Sequence, residues 1–161
     1  MIIIALGANL PSHAGTPAET LRAALAALSI HNVRPAAVSR FYKTQAWPNP
    51  SDPPFVNAVA RVETARDPAS LLQCLHAIEA SFGRKREERN APRTLDLDLI
   101  DFDGRIRDDA PILPHPRVAE RGFVLVPLAD IAPDWRHPVS GLSIRDLIDR
   151  LPAGSRNIAP L

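Results

Sequence analysis

The chain has a single cysteine, Cys74, so no disulfide can form within it. That excludes the small disulfide-stapled classes and fits a reducing compartment. No apolar run reaches the ~20 residues that a membrane-spanning helix needs. The apolar start Met1-Ile2-Ile3-Ile4-Ala5-Leu6 is short, lacks a basic flank and runs into Gly7. It reads as a buried strand, not a secretory leader. Neither sign of charge dominates: 19 Lys plus Arg against 18 Asp plus Glu leave a net +1. This argues against a general nucleic-acid or membrane-surface binder. Repeats and low-complexity segments are absent. The expectation is a cytoplasmic protein with neither nucleic acid nor membrane as a partner. A monomer is expected, with a dimer as the alternative.

Several nucleotide and metal signatures are also missing. There is no G-x-x-x-x-G-K-[ST], so the chain is not a P-loop enzyme. Without H-R-D or D-F-G it is not a protein kinase. The turn Gly7-Ala8-Asn9-Leu10 lacks G-x-G-x-x-G, and with neither H-E-x-x-H nor paired cysteines a zinc site is not expected.

Proline, by contrast, is abundant: 17 residues against roughly 8 at ordinary usage. Many fall between Pro48 and Pro54 and between Pro111 and Pro116, which predicts two stiff loops. With 161 residues, 45% of them hydrophobic, the chain can bury a core as one domain. The expected domain is 1–151, with 152–161 a loose tail.

Residues 2–6 predict a first strand. Thr16 caps a helix reaching Leu28, with Pro17 at its first position, Glu19 completing a capping box and Leu21, Leu25 and Leu28 as its apolar stripe. Val33–Tyr42 and Phe55–Val62 predict the next two strands. Asp67 caps a second helix that ends near Gly83, with Leu71, Leu72, Leu75, Ile78 and Phe82 inward; Cys74 reads as a core residue among them. Leu95–Phe102 predicts a fourth strand. Asp103-Gly104 signals a tight turn into Arg105-Ile106-Arg107. Val124–Ile131 and Ser143–Leu151 predict short C-terminal helices. The order is that of an α+β fold with a ferredoxin-like βαββαβ core. Its sheet would be mostly antiparallel, with helices packed on one face. Such an architecture hosts many functions and names none.

The chemistry concentrates in Leu95-Asp96-Leu97-Asp98-Leu99. Strand alternation sends the leucines one way and both aspartates the other. A solvated acidic face would explain that pattern. Yet aspartate is a poor strand former, and like charges on one face repel. Arg84, Lys85, Arg86, Arg89 and Arg93 crowd just upstream. Magnesium takes one or two carboxylates together with phosphate oxygens and water. Guanidinium groups bind phosphate in a bidentate fork. The pair with its arginines therefore points to magnesium-dependent phosphate transfer on a small molecule. Phe55 and Asn57 share one strand face, where a ring can stack on a flat heterocycle and an amide can read its edge. His115 is pinned between Pro114 and Pro116, with Arg121 and Phe123 close behind. Two other classes fit the topology: a ligand-binding module without catalysis and an RNA-binding sheet domain. The acidic sheet face and near-zero net charge weigh against the second.

Together these residues resemble a known family. Pro92-Arg93-Thr94-Leu95-Asp96-Leu97-Asp98-Leu99-Ile100 is similar to the signature of the hydroxymethyl-dihydropterin pyrophosphokinases of folate biosynthesis. Shorter matches follow in register: Leu6-Gly7-Ala8-Asn9-Leu10, Ser39-Arg40-Phe41-Tyr42-Lys43-Thr44, Phe55-Val56-Asn57-Ala58, Ile78-Glu79, Gly83-Arg84, Pro114-His115-Pro116 and Arg121-Gly122-Phe123. The resemblance implies transfer of the β,γ-pyrophosphoryl unit of ATP to 6-hydroxymethyl-7,8-dihydropterin, releasing AMP. It implies that Asp96 and Asp98 bind two magnesium ions and act with Arg84 and Arg93 as the catalytic set. It assigns Phe55 and Phe123 to stacking on the pterin and Asn57 to its edge, helped by Thr44, Gln45 and Trp47. It sets Glu79, Arg84, Arg86, Arg93, Leu99, His115 and Arg121 on the ATP side. Segments 44–54 and 84–93 are expected to close and exclude water. The chain departs from the family at Asn90-Ala91 before Pro92, where Trp-Gly is frequent. It also departs at Ala8 for Ser, Gln45 for Pro and Phe55 for Tyr.

Overall fold

The computed structural model describes residues 1–85 and 90–161. Its elements are β1 (Ile2–Ala8), α1 (Pro17–Ile30), β2 (Arg34–Val38), β3 (Tyr42–Thr44), β4 (Phe55–Glu63), α2 (Pro68–Ser81) and β5 (Asp96–Phe102). After β5 come α3 (Gly122–Ile131), α4 (Ile144–Asp149), α5 (Ala153–Arg156) and β6 (Ala159–Pro160). Every strand pairing is antiparallel. The sheet runs β5-β1-β4-β3-β6, and β2 also pairs with β4.

The local signals act as the physics requires. The capping box of α1 forms: the Thr16 N–H donates to the Glu19 carboxylate at 2.7 Å and the Glu19 N–H to Thr16 Oγ1 at 3.3 Å. The end of α2 is a Schellman turn, with the Gly83 N–H on the Ala80 carbonyl and the Arg84 N–H on the Glu79 carbonyl. Gly83 sits at φ +81, a conformation that costs glycine little. That turn points Arg84 back toward the sheet.

Alternation divides the sheet into two faces. Ile2, Ile4, Leu6 and Ala8 of β1 join Leu97 and Leu99 of β5 against Leu21, Leu28, Leu71 and Leu75 of α1 and α2. Ile3, Ala5, Val59 and Ile100 face the other way, under Val124, Leu125 and Leu128 of α3 and Ile144 and Leu147 of α4. The C-terminal helices thus cover only one end of the second face. Asp130 fastens α3 to the sheet edge. Its carboxylate accepts from Arg40 Nη2 at 2.9 Å and from the Tyr42 hydroxyl at 2.8 Å.

Two expectations change, and the expected turn forms. The strand expected over Val33–Tyr42 is two strands, β2 and β3, both on the edge of β4. The break falls at Ser39, whose N–H and hydroxyl pair with the Val59 carbonyl and N–H, each at 2.9 Å. The Asp103-Gly104 turn forms, with φ of 54 and 71. It leads to an isolated bridge between Arg107 and Leu113. The expected loose tail over 152–161 is instead built into the fold as α5 and β6. Among the described residues no helix is long and apolar enough to cross a membrane.

Candidate active site

The uncovered end of the second face is a cleft of about 480 Å³. Register explains its contents. Gly7 of β1 lies opposite Asn57 of β4 on one side and Asp96 of β5 on the other. These three positions form one row across the sheet. A Cβ on Gly7 would meet Asn57 Oδ1 at 2.9 Å, so glycine keeps the row open between the amide and the carboxylate. The next row holds Ala5, opposite both Val59 and Asp98.

Both carboxylates are claimed by arginines. Arg84 Nη1 bridges Glu79 and Asp96, and Arg93 Nη1 donates to the other Asp96 oxygen at 3.0 Å. Arg121 Nη1 donates to Asp98 Oδ2 at 3.0 Å. Burial alone would push the Asp96 carboxyl up, but the Arg84 and Arg93 guanidiniums outweigh it and hold it below the usual value. Asp98 goes the other way: burial and then the neighbouring Asp96 charge raise it against the pull of Arg121. The two carboxylates, two positions apart on β5, are thus shifted in opposite directions by their surroundings.

Arg93 is set by Asn9. The Asn9 side chain accepts from the Arg93 N–H at 2.8 Å and donates to the Pro53 carbonyl at 3.0 Å, joining the segments before β5 and before β4. Glu79 is 1% exposed. Its carboxylate also accepts from the Leu97 N–H at 2.9 Å, so it braces β5 and Arg84 from beneath. His115 accepts the Arg117 N–H on Nδ1 at 3.1 Å, which leaves its proton on Nε2, 3.9 Å from Asp98. Burial and then the Arg121 charge push this imidazole down to about 4, so it is neutral at pH 7.

Of the residues singled out in the sequence, Thr44, Gln45, Trp47, Phe55, Asn57, Arg93, Asp96, Asp98, Arg121 and Phe123 all line this cleft. Asn57 Nδ2 donates to Thr44 Oγ1 at 2.7 Å. Arg121 lies over the Phe123 ring, 5.5 Å from its centroid. Arg84, Glu79 and His115 stand around the carboxylates. Leu99 differs: its side chain is packed in the core under α1 and α2, because the alternation that exposes Asp98 turns Leu99 away. Any contact that it makes with ATP falls to its main chain. Arg86 lies outside the described residues. The cleft also contains Arg117, Glu120, Gly154, Ser155 and Ile158, which no spacing or motif had marked. Among the described residues no three His, Cys, Asp or Glu side chains group to hold a metal. The donor set is two carboxylates, which suits magnesium bound jointly with phosphate oxygens.

Comparison with known proteins gives concordant matches. The model of the 7,8-dihydro-6-hydroxymethylpterin-pyrophosphokinase family matches residues 3–133. A 2-amino-4-hydroxy-6-hydroxymethyldihydropteridine pyrophosphokinase from Synechocystis sp. is 40% identical over 151 residues, covering 92% of this chain and 75% of the relative. One of the same name from Pseudomonas aeruginosa is 40% identical, covering 94% of this chain and 91% of that protein. The crystal structure of a Plasmodium falciparum HPPK-DHPS variant matches with a TM-score of 0.67 at 16% identity, covering 92% of this chain. At that identity it speaks for the fold alone, and this chain spans 44% of its length.

Proposed function

The chain belongs to the 7,8-dihydro-6-hydroxymethylpterin-pyrophosphokinase family, and from that premise we propose how it works. It transfers pyrophosphate from ATP to the hydroxymethyl group of 6-hydroxymethyl-7,8-dihydropterin, in folate biosynthesis. The substrate hydroxyl oxygen bonds to the β-phosphorus and loses its proton. The bond from that phosphorus to the α-phosphate oxygen breaks, and AMP leaves. The observation that carries this reading is one cleft holding an arginine-bound aspartate pair beside two aromatic rings and an amide.

Transfer of this kind needs positioning and charge neutralisation more than covalent help. Asp96 and Asp98 would hold two magnesium ions, which would supply neutralisation of the phosphate oxygens. Arg84, Arg93 and Arg121 now sit on carboxylates, and a guanidinium exchanges a carboxylate for a phosphate with the same fork geometry. They are the phosphate clamps of this reading. Arg86 is proposed to join them. Neutral His115, with its Nε2 proton toward Asp98, is a donor to ATP oxygens. Glu79 keeps Arg84 in place, and the Leu99 main chain lies along the ATP side. Phe55 and Phe123 stack on the pterin, and Asn57, steadied by Thr44, reads its polar edge. Gln45 and Trp47 close that side and exclude water, which would otherwise take the pyrophosphoryl group. The proposal includes a cytoplasmic monomer.

The test is direct. The protein with ATP, magnesium and the hydroxymethyl dihydropterin should release AMP and form the pterin diphosphate, and a chelator should stop both. Folded protein that releases no AMP sinks the reading, and ADP in place of AMP would mean transfer of a single phosphate.

A further inference from the structure

Residues 153–161 lie beyond the 3–133 span of the family match, yet they enter the cleft. Leu151 is buried in the second core. α5 then crosses the start of α3, and β6 returns to pair with β3, Lys43 opposite Ala159 and Tyr42 opposite Pro160. The Leu161 N–H donates to the Phe41 carbonyl at 2.8 Å. Against α3 the approach is tighter still. A Cβ on Gly122 would lie 1.7 Å from the Ser155 carbonyl oxygen, so only glycine admits α5 there. β3 ends at Thr44, and Gly122 precedes Phe123. One short segment is therefore anchored to both pterin-side walls, and its Gly154, Ser155 and Ile158 line the cleft.

We infer that residues 153–161 are a substrate-positioning strap, which holds Thr44 and Phe123 at a set spacing and contributes Ser155 and Ile158 to the pterin wall. The inference rests on the pterin reading of this cleft. Sheet order makes it selective: the strap adds to the β3 edge, whereas the carboxylates lie on β5 at the opposite edge. A wall fixed in advance loses less freedom when the ligand binds. The strap should therefore act on pterin affinity and leave ATP binding alone.

Steady-state kinetics with each substrate varied in turn test this on the full chain and two variants. Ile158→Ala should raise the pterin KM by about 3- to 10-fold, from the lost side-chain contact area. A chain stopped after Pro152 should raise it by about tenfold or more. In both, the ATP KM should stay within about twofold, and Ile158→Val should recover most of the loss. If the shortened chain does not fold, Ile158→Ala carries the test. An unchanged pterin KM in folded Ile158→Ala, or equal rises in both KM values, overturns the strap. A full-length chain that makes no AMP overturns the functional reading, and the strap's role with it.

Discussion

Strand β5 carries three aspartates with two different fates. Asp101 is 3% exposed. One of its oxygens accepts the Trp135 indole N–H at 2.9 Å and the other the Gly104 N–H at 3.0 Å. Asp96 and Asp98, nearer the other end of the strand, are held by Arg84, Arg93 and Arg121. An indole and a main-chain amide are neutral donors fixed in the framework, and nothing can be exchanged for them. Guanidinium groups on side chains bind any oxyanion that arrives. The same residue type is structural where its donors are fixed and neutral, and functional where they are charged and replaceable. A bulge between Ile3 and Ile4 in the β1–β5 pairing separates the two regions. It sets Asp101 opposite Ile3, on the side of Trp135, and turns Phe102 into the first core.

Four experiments would break or sharpen this contrast. Asp98→Ala should lower kcat by roughly 10³-fold or more, the scale seen when a charge-stabilising group is removed, while circular dichroism and Tm stay near wild type. Retained turnover would remove Asp98 from the reactive end. Phe123→Ala should weaken pterin binding about tenfold or more through lost stacking, with ATP binding little changed; calorimetric titration with each substrate separates the two, and equal losses would count against stacking. Asp101→Ala should do the reverse of Asp98→Ala. It leaves the Trp135 N–H unpaired and costs about 1–3 kcal/mol, read as a lower Tm, while kcat holds within about twofold. A collapse of kcat in folded Asp101→Ala would erase the distinction. The smallest effect concerns His115, held near 4 in the folded protein against about 6.5 unfolded. Between those values the unfolded chain binds the proton and the folded one does not, so stability falls as pH drops from about 6.5 toward 4. Tm measured across that window should fall less steeply in His115→Gln than in the wild-type protein; parallel curves would remove His115 from the balance.

Much of this was legible in order along the chain. The Leu-Asp alternation of β5 and the caps at Thr16 and Asp67 act within a few residues, so spacing alone reveals them. The rings and amide of the cleft were marked partly by strand alternation and partly by resemblance. Other features were not legible. Nothing near Asn9 says that its amide will join Arg93 to Pro53. Nothing near Ser155 says that its carbonyl will fill the space left by Gly122. No spacing or motif marks Arg117 and Glu120, which line the cleft. Nothing local to Val33–Tyr42 shows that Ser39 pairs with Val59 and divides that segment into two strands.

The periodicities of two and of 3.6 residues, the caps and the proline clusters specify which segments become strands, helices and stiff loops, and which side of β5 bears the carboxylates. They are local because side-chain direction repeats along a single element. Where α3 and α4 stop on the second face, and so where the cleft opens, depends on contacts between distant segments. So do the pairing of each carboxylate with its arginine and the return of residues 153–161 to β3. Those contacts exist only once burial and hydrogen bonding have been satisfied across the whole sheet.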